Sequence, residues 1–203
     1  MERFLTLGKF SQTEIIIKKS KFIASATPVC DENEANNFIK QIKKEHSQAT
    51  HNVFAYVIND QIQRSSDDGE PSGTAGRPML EVINRKNLIK TAVVVTRYFG
   101  GIMLGAGGLV RAYTEATIKG IEQAGIIERQ IYQQLHIQLD YQWVGLVKRE
   151  LESAEGKELA INYGQQVEMS VYLLPKNIKL ITEKLIEATG SQISIEEGSL
   201  KYL

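Results

Sequence analysis

The chain has 203 residues, with 24 Lys and Arg against 24 Asp and Glu, 42% hydrophobic residues and one cysteine. This composition fits a globular protein of one large or two small domains, and it excludes an internal disulfide framework and a multi-cysteine zinc site. No apolar run approaches the ~18 residues of a membrane span, and residues 1–14 show no secretory h-region or cleavage-site pattern, so a cytoplasmic protein is expected.

The zero total hides an asymmetry. Residues 1–130 carry 17 basic and 14 acidic side chains, a net of +3; residues 131–203 carry 7 and 10, a net of −3. The first part tolerates an anionic ligand, but neither part has the charge of a strongly basic nucleic-acid domain.

Residues 14–29 alternate and are rich in β-branched groups, which predicts two short strands. Asp31 and Glu34 then form the pattern of a capping box, and Ala35, Phe38, Ile39 and Ile42 repeat at helical spacing over 31–46. A strand is expected over 52–58, with a hairpin partner at 61–66 across the Asn59-Asp60 turn. Met79, Leu80, Val82 and Ile83 suggest a short helix. Residues 88–98, centred on Val93-Val94-Val95, read as a buried strand. Gly100 to Gly108 holds five glycines in nine residues, read as a loop that opens a long amphipathic helix from Leu109, ended by Gly125.

Past Ile127 the pattern changes. A strand over 131–141, a helix from Val144 to near Gly156, a hairpin of 159–163 and 167–174, a helix ending at Gly190 and a strand at 192–195 follow. This is the β-α-β-β-α-β order of a ferredoxin-like unit, so domains of 1–130 and 131–203 are expected.

Two segments could carry chemistry. From Arg97 to Arg111 a strand runs through Gly100, Gly101, Gly105, Gly107 and Gly108 into a helix. Such a loop can aim backbone N–H groups at an anion, with the helix dipole and the two arginines adding positive charge, or it can simply allow close packing. The glycine spacing matches neither a P-loop nor a dinucleotide fingerprint. The second segment holds Asp67, Asp68, Glu70, Ser72, Thr74 and Arg77. Its three carboxylates could place a divalent cation, although calcium-loop spacing is absent. Ser72 or Thr74 could be a nucleophile, but neither has an activating neighbour at a motif distance. The plain alternative is a rigid surface loop in which one of them caps the next helix.

His46 and His51 are too few for zinc and are expected as surface or packing residues. Cys30 is expected as a small buried hydrophobe. The clusters Lys18-Lys19-Lys21 and Lys40-Lys43-Lys44 are solvated faces unless the fold gathers them beside Arg97 and Arg111. Phe54, Tyr56, Tyr98 and Tyr113 all fit core positions, so no base-stacking aromatic is identified.

Together, Ser66-Asp-Asp-Gly-Glu-Pro-Ser-Gly-Thr-Ala-Gly-Arg-Pro78, the run from Val93 to Tyr113, and Lys18-Lys19-Ser20-Lys21-Phe22-Ile23 resemble the signature of the IMPACT family. The ferredoxin-like tail makes the chain similar to the family's bacterial YigZ branch. The resemblance implies an α+β protein. Its first domain would have the β-α fold of the second domain of a small-subunit ribosomal protein, and its C-terminal domain would resemble the last domain of elongation factor G. It also implies a non-catalytic regulator acting on translation through a ribosome, RNA or a translation factor, with no cofactor, no DNA-specific motif and no membrane. Eukaryotic relatives act in translational control with an additional N-terminal domain that this sequence does not show, and no catalytic residue is carried over. The binding surface is expected around both loops. An enzyme or small-anion binder using the glycine-rich loop for phosphate and Asp67, Asp68 and Glu70 for a metal is the alternative. A third reading is an interaction module docking through the second domain's sheet.

Overall fold

The computed structural model describes residues 2–203. The chain divides into two compact units, residues 4–128 and residues 129–203 with Glu2 and Arg3. The first comprises β1 (Arg3–Leu7), β2 (Ser11–Ile17), β3 (Ser20–Pro28), α1 (Glu32–Glu45), β4 (His51–Val57), β5 (Gln63–Ser66), α2 (Gly76–Arg85), β6 (Thr91–Tyr98) and α3 (Ala106–Ala124).

Five of these strands form an antiparallel sheet in the order β2-β3-β6-β4-β5. The central β6 is apolar on both faces because both are covered. Val93 and Val95 join a core with α2 and α3, while Ala92 and Val94 join a core with Ile39 and Ile42 of α1. Helix α3 lies tight on the sheet at Gly120, where a Cβ would stand 3.1 Å from that of Ala24.

The local signals held at several ends. Asp31 Oδ1 accepts from the Glu34 N–H at 2.9 Å, and the Glu34 carboxylate returns to the Cys30 N–H at 2.7 Å, one residue before the N-cap. Gly125 closes α3 at φ 72°, the left-handed region that glycine enters without a Cβ clash. Cys30 itself is exposed, not a buried hydrophobe, because it lies in the surface connection between β3 and the N-cap of α1. Tyr56 and Tyr113 are buried, whereas Phe54 and Tyr98 are only half-buried.

The second unit runs β7 (Ile126–Leu139), α4 (Val144–Ser153), β8 (Lys157–Tyr163), β9 (Val167–Leu173), α5 (Pro175–Ala188) and β10 (Ile193–Tyr202). β7 pairs with both β9 and β10, and β8 pairs with β9, which gives the strand arrangement of a βαββαβ fold. Leu135, Ile137 and Leu139 point inward against Val147, Leu151, Ile181 and Leu185, so one face of the sheet carries the helices.

Several strands differ from the sequence reading: β6 starts at Thr91 instead of 88 and β7 at Ile126 instead of 131, and two differences are larger. β1 has no local signal, since its partners lie far along the chain: the Ile89 N–H donates to Leu5 O, and just past the strand the Gly8 N–H donates to Gly125 O. β10 continues to Tyr202 past a bulge between Glu197 and Leu200, which breaks the alternation where the reading stopped. Among the described residues no helix is long and apolar enough to cross a membrane.

Candidate functional site

The two signature segments meet at the end of the first unit's sheet where β6 leaves it. What joins them is a buried ion pair. Glu70 Oε1 accepts from Arg97 Nη1 at 2.7 Å and from the Tyr113 hydroxyl at 2.7 Å. Arg97 is 6% exposed, its guanidinium lies 5.5 Å from the ring centroids of both Phe22 and Phe99, and its Nε is buried without a partner. Burial, and then the adjacent Glu70 carboxylate, push the Tyr113 phenol well above its ordinary pKa, so it stays a donor.

Asp68 takes a different set of partners. Its carboxylate accepts from Lys43 Nζ at 2.6 Å and the Asn52 N–H at 2.7 Å, while its carbonyl meets His51 Nδ1 at 2.8 Å. Burial opposes ionisation of Asp68, but these donors outweigh it and hold its carboxyl below the usual range. The other His51 nitrogen stands 3.8 Å from Glu70 Oε2, so the ring lies between the Asp68 main chain and the Glu70 carboxylate.

Asp67 serves the loop and the helix beyond it. It accepts from the N–H groups of Gly73, Ala75 and Gly76 at 2.8, 3.1 and 2.8 Å. Asp67 therefore caps α2 from nine residues away; Ser72 and Thr74 do not. Ser72 is exposed, and the Thr74 hydroxyl donates to Pro71 O at 2.6 Å. Truncation of Asp67 to Ala leaves three donors without this acceptor. It is expected to cost about 1–2 kcal/mol, read from the urea midpoint at unchanged slope.

The three carboxylates thus face three different sets of donors. The alternative reading of a cation shared by these carboxylates is left without a common site for that reason, and among the described residues no group of three or more acidic, His or Cys side chains is placed to hold a metal. Arg97 is likewise corrected: its charge is matched by Glu70 inside the protein instead of being offered to an external anion. Arg77, at the start of α2, is exposed.

The glycine-rich segment divides in two. Gly107 and Gly108 belong to the first turn of α3, not to the loop, because the helix already starts at Ala106. Gly101 and Gly105 have φ values of 81° and 73°. Gly100 is held by proximity: a Cβ there would lie 2.0 Å from the backbone carbon of Lys19. Its N–H donates to Ser20 Oγ at 3.2 Å, and the Phe99 N–H donates to Thr50 Oγ1 at 3.1 Å. The N-cap of α3 is Gly105, which has no side chain to satisfy the first N–H groups.

The basic turn Lys18-Lys19 is therefore seated against the glycine-rich loop, although these residues are separated by about eighty positions in sequence. Both lysines are exposed, as is Arg111 on the first turns of α3. Lys43 does not join them as a free cation, because it holds Asp68. The loop also exposes Phe99, Ile102 and Met103, the last to 84%. Of this set, Phe99 and Met103 carried no sequence signal, since hydrophobic residues in and around a glycine-rich run read as packing. His51 and Tyr113 read only as packing residues and Asn52 only as a strand start, because their polar partners lie 17, 43 and 16 residues away in sequence.

Comparison with known proteins gives these features a context. The Impact N-terminal domain matches residues 18–121, and a domain of unknown function, DUF1949, matches residues 137–192. The IMPACT family member YvyE of Bacillus subtilis is 44% identical over 205 residues, covering 100% of this chain and 94% of its own. The IMPACT family member YigZ of Escherichia coli is 31% identical, covering 88% of this chain and 90% of its own. Protein IMPACT of Oryctolagus cuniculus shares 35% identity with 43% of this chain, which spans 29% of that protein. A crystal structure described as a hypothetical protein superposes with a TM-score of 0.65 at 29% identity, over 96% of this chain and 97% of its own. On its near-complete match to bacterial members and its Impact N-terminal domain, the chain belongs to the IMPACT family.

Proposed function

We propose that the protein is a non-catalytic regulator of translation in the cytoplasm, and that it binds the ribosome through RNA at the loop end of its first unit. One observation carries this reading: the Lys18-Lys19 turn is packed onto a loop that exposes Phe99, Ile102 and Met103. Cations beside an exposed ring suit single-stranded nucleic acid, because lysines follow phosphates while a base stacks on the ring. Phe99 is braced for this by Arg97, whose guanidinium lies 5.5 Å from the ring centroid. Arg111 and the uncapped start of α3 extend the positive field beyond the loop. A phosphoryl-transfer or metal-dependent reading has no support here, because the acids it needs are committed to protein donors.

The test is fluorescence anisotropy with a labelled single-stranded RNA and with purified ribosomes over a salt series. Binding is expected to weaken steeply with salt. A Lys18→Ala, Lys19→Ala, Arg111→Ala variant removes three cations and should flatten the slope of log K against log salt by about 2. Phe99→Ala should weaken RNA binding by about 1–3 kcal/mol with the slope unchanged. Absence of RNA and ribosome binding by the native protein at low salt would defeat the proposal.

A further inference from the structure

A second surface of the first unit lies on the flanks of its helices. Between α2 and α3 runs an open groove of about 380 Å³, lined by Arg77, Glu81, Val82 and Arg85 of α2 and by Val110 and Thr114 of α3. We propose that this groove docks a helical segment of a partner protein that presents acidic residues to Arg77 and Arg85 and a cationic residue to Glu81. The proposal is independent of the RNA reading, which uses the loops at the end of the sheet.

The charge pattern supplies the first argument. Arg77, Glu81 and Arg85 follow at four-residue intervals, so they form one stripe, with the outer pair about 12 Å apart along the helix. The arginine side chains are 79% and 80% exposed. Both depend on the same carboxylate, at 3.4 Å from Arg77 Nε and 3.5 Å from Arg85 Nη2. One exposed carboxylate matches only one of two guanidinium groups, and such pairs are weak in water, so the stripe retains positive charge and unused donors.

The apolar lining supplies the second. Val110 is an exposed apolar residue on α3, and Pro78 and Val82 of α2 line the groove beside it, Val82 with 6% of its surface still open. Aliphatic walls of this kind take apolar side chains spaced at helical intervals, with specificity left to charges at the rim. An amphipathic helix with Glu, Lys and Glu at four-residue intervals meets the whole stripe in register. A nucleic-acid strand does not, because a phosphate at every nucleotide would bring one against Glu81, and no aromatic ring lines the groove to stack a base.

The test uses two lactam-stapled peptides of roughly 16 residues, long enough to hold a helix. They share an Ala and Leu scaffold, and one carries Glu-Lys-Glu at four-residue intervals where the other carries Lys-Glu-Lys. Each is titrated into the full chain, read by anisotropy and by the methyl NMR signals of Val82 and Val110. The Glu-Lys-Glu peptide is expected to bind at least about ten-fold more tightly than its reverse, and to shift both methyls. The triple variant Arg77→Glu, Glu81→Lys, Arg85→Glu changes only exposed side chains, and it should invert the preference. Circular dichroism checks that this variant is folded. Equal affinity for the two peptides, no binding by either, or a preference that survives the charge inversion would overturn the proposal. So would a single-stranded RNA that moves the same methyls more strongly than the Glu-Lys-Glu peptide.

Discussion

Glu70→Ala is expected to destabilise the first unit by about 3–5 kcal/mol, measured by urea denaturation. The cost comes from what the substitution leaves behind. Arg97 would remain buried with its counter-ion gone, its Nε already without a partner, and the Tyr113 hydroxyl would lose its acceptor. A charge kept out of water and unmatched costs far more than a surface ion pair contributes. Two companion variants separate this cause from a simple loss of volume. Glu70→Gln keeps an acceptor for Tyr113 but not the charge, and should fall between native and Ala. The pair Glu70→Leu with Arg97→Met removes both charges and should recover most of the loss, since apolar replacements of a buried pair are often neutral. A double variant no more stable than Glu70→Ala would show that the network is needed for reasons other than charge compensation.

Gly100→Ala is the second large effect. The added Cβ would stand 2.0 Å from the Lys19 backbone carbon and 2.5 Å from the Ser20 nitrogen, so only a backbone displacement can accommodate it. Overpacking costs about 1–3 kcal/mol where side chains can yield, and here the neighbour is main chain, so at least the upper part of that range is expected. Gly101→Ala is the control: it meets nothing within 4 Å but sits at φ 81°. It should cost only the backbone strain, about 1–2 kcal/mol. Thermal or urea unfolding ranks the two, and equal costs would mean that the approach of the Lys18-Lys19 turn is not what requires glycine. If the RNA reading holds, Gly100→Ala should also weaken RNA binding beyond its stability cost, because it separates the lysines from the loop.

The physical character of the site follows from these two features. A buried charged network anchors the loop roots, and the loops above it present mobile-length lysines with exposed apolar side chains. Rigidity below and chemical variety above suit recognition, since less entropy is lost when a preformed surface binds. The sequence hinted at this only through residue types. Five glycines and two arginines suggested an anion site, but the same residues serve different ends: Gly100 for backbone approach, Gly107 and Gly108 within the helix, Arg97 as an internal counter-ion.

What the sequence by itself determined was mostly local. The capping box at Asp31 and Glu34, the stop of α3 at Gly125 and the alternation of Leu135, Ile137 and Leu139 depend on neighbours within a few positions. They therefore placed elements correctly, whereas the IMPACT family was legible from the resemblance of the signature segments at 66–78 and 93–113. The length of β10 and the existence of β1 were not legible, because a bulge and remote backbone partners decide them. The site lay further still from the sequence. Glu70 finds Arg97 and Tyr113 at separations of 27 and 43 residues, and Lys19 finds Gly100 across the sheet. Only the tertiary structure could decide that three neighbouring carboxylates serve three different partners, because a side chain's partner is set by where the sheet brings remote strands together, and spacing along the chain carries no record of that.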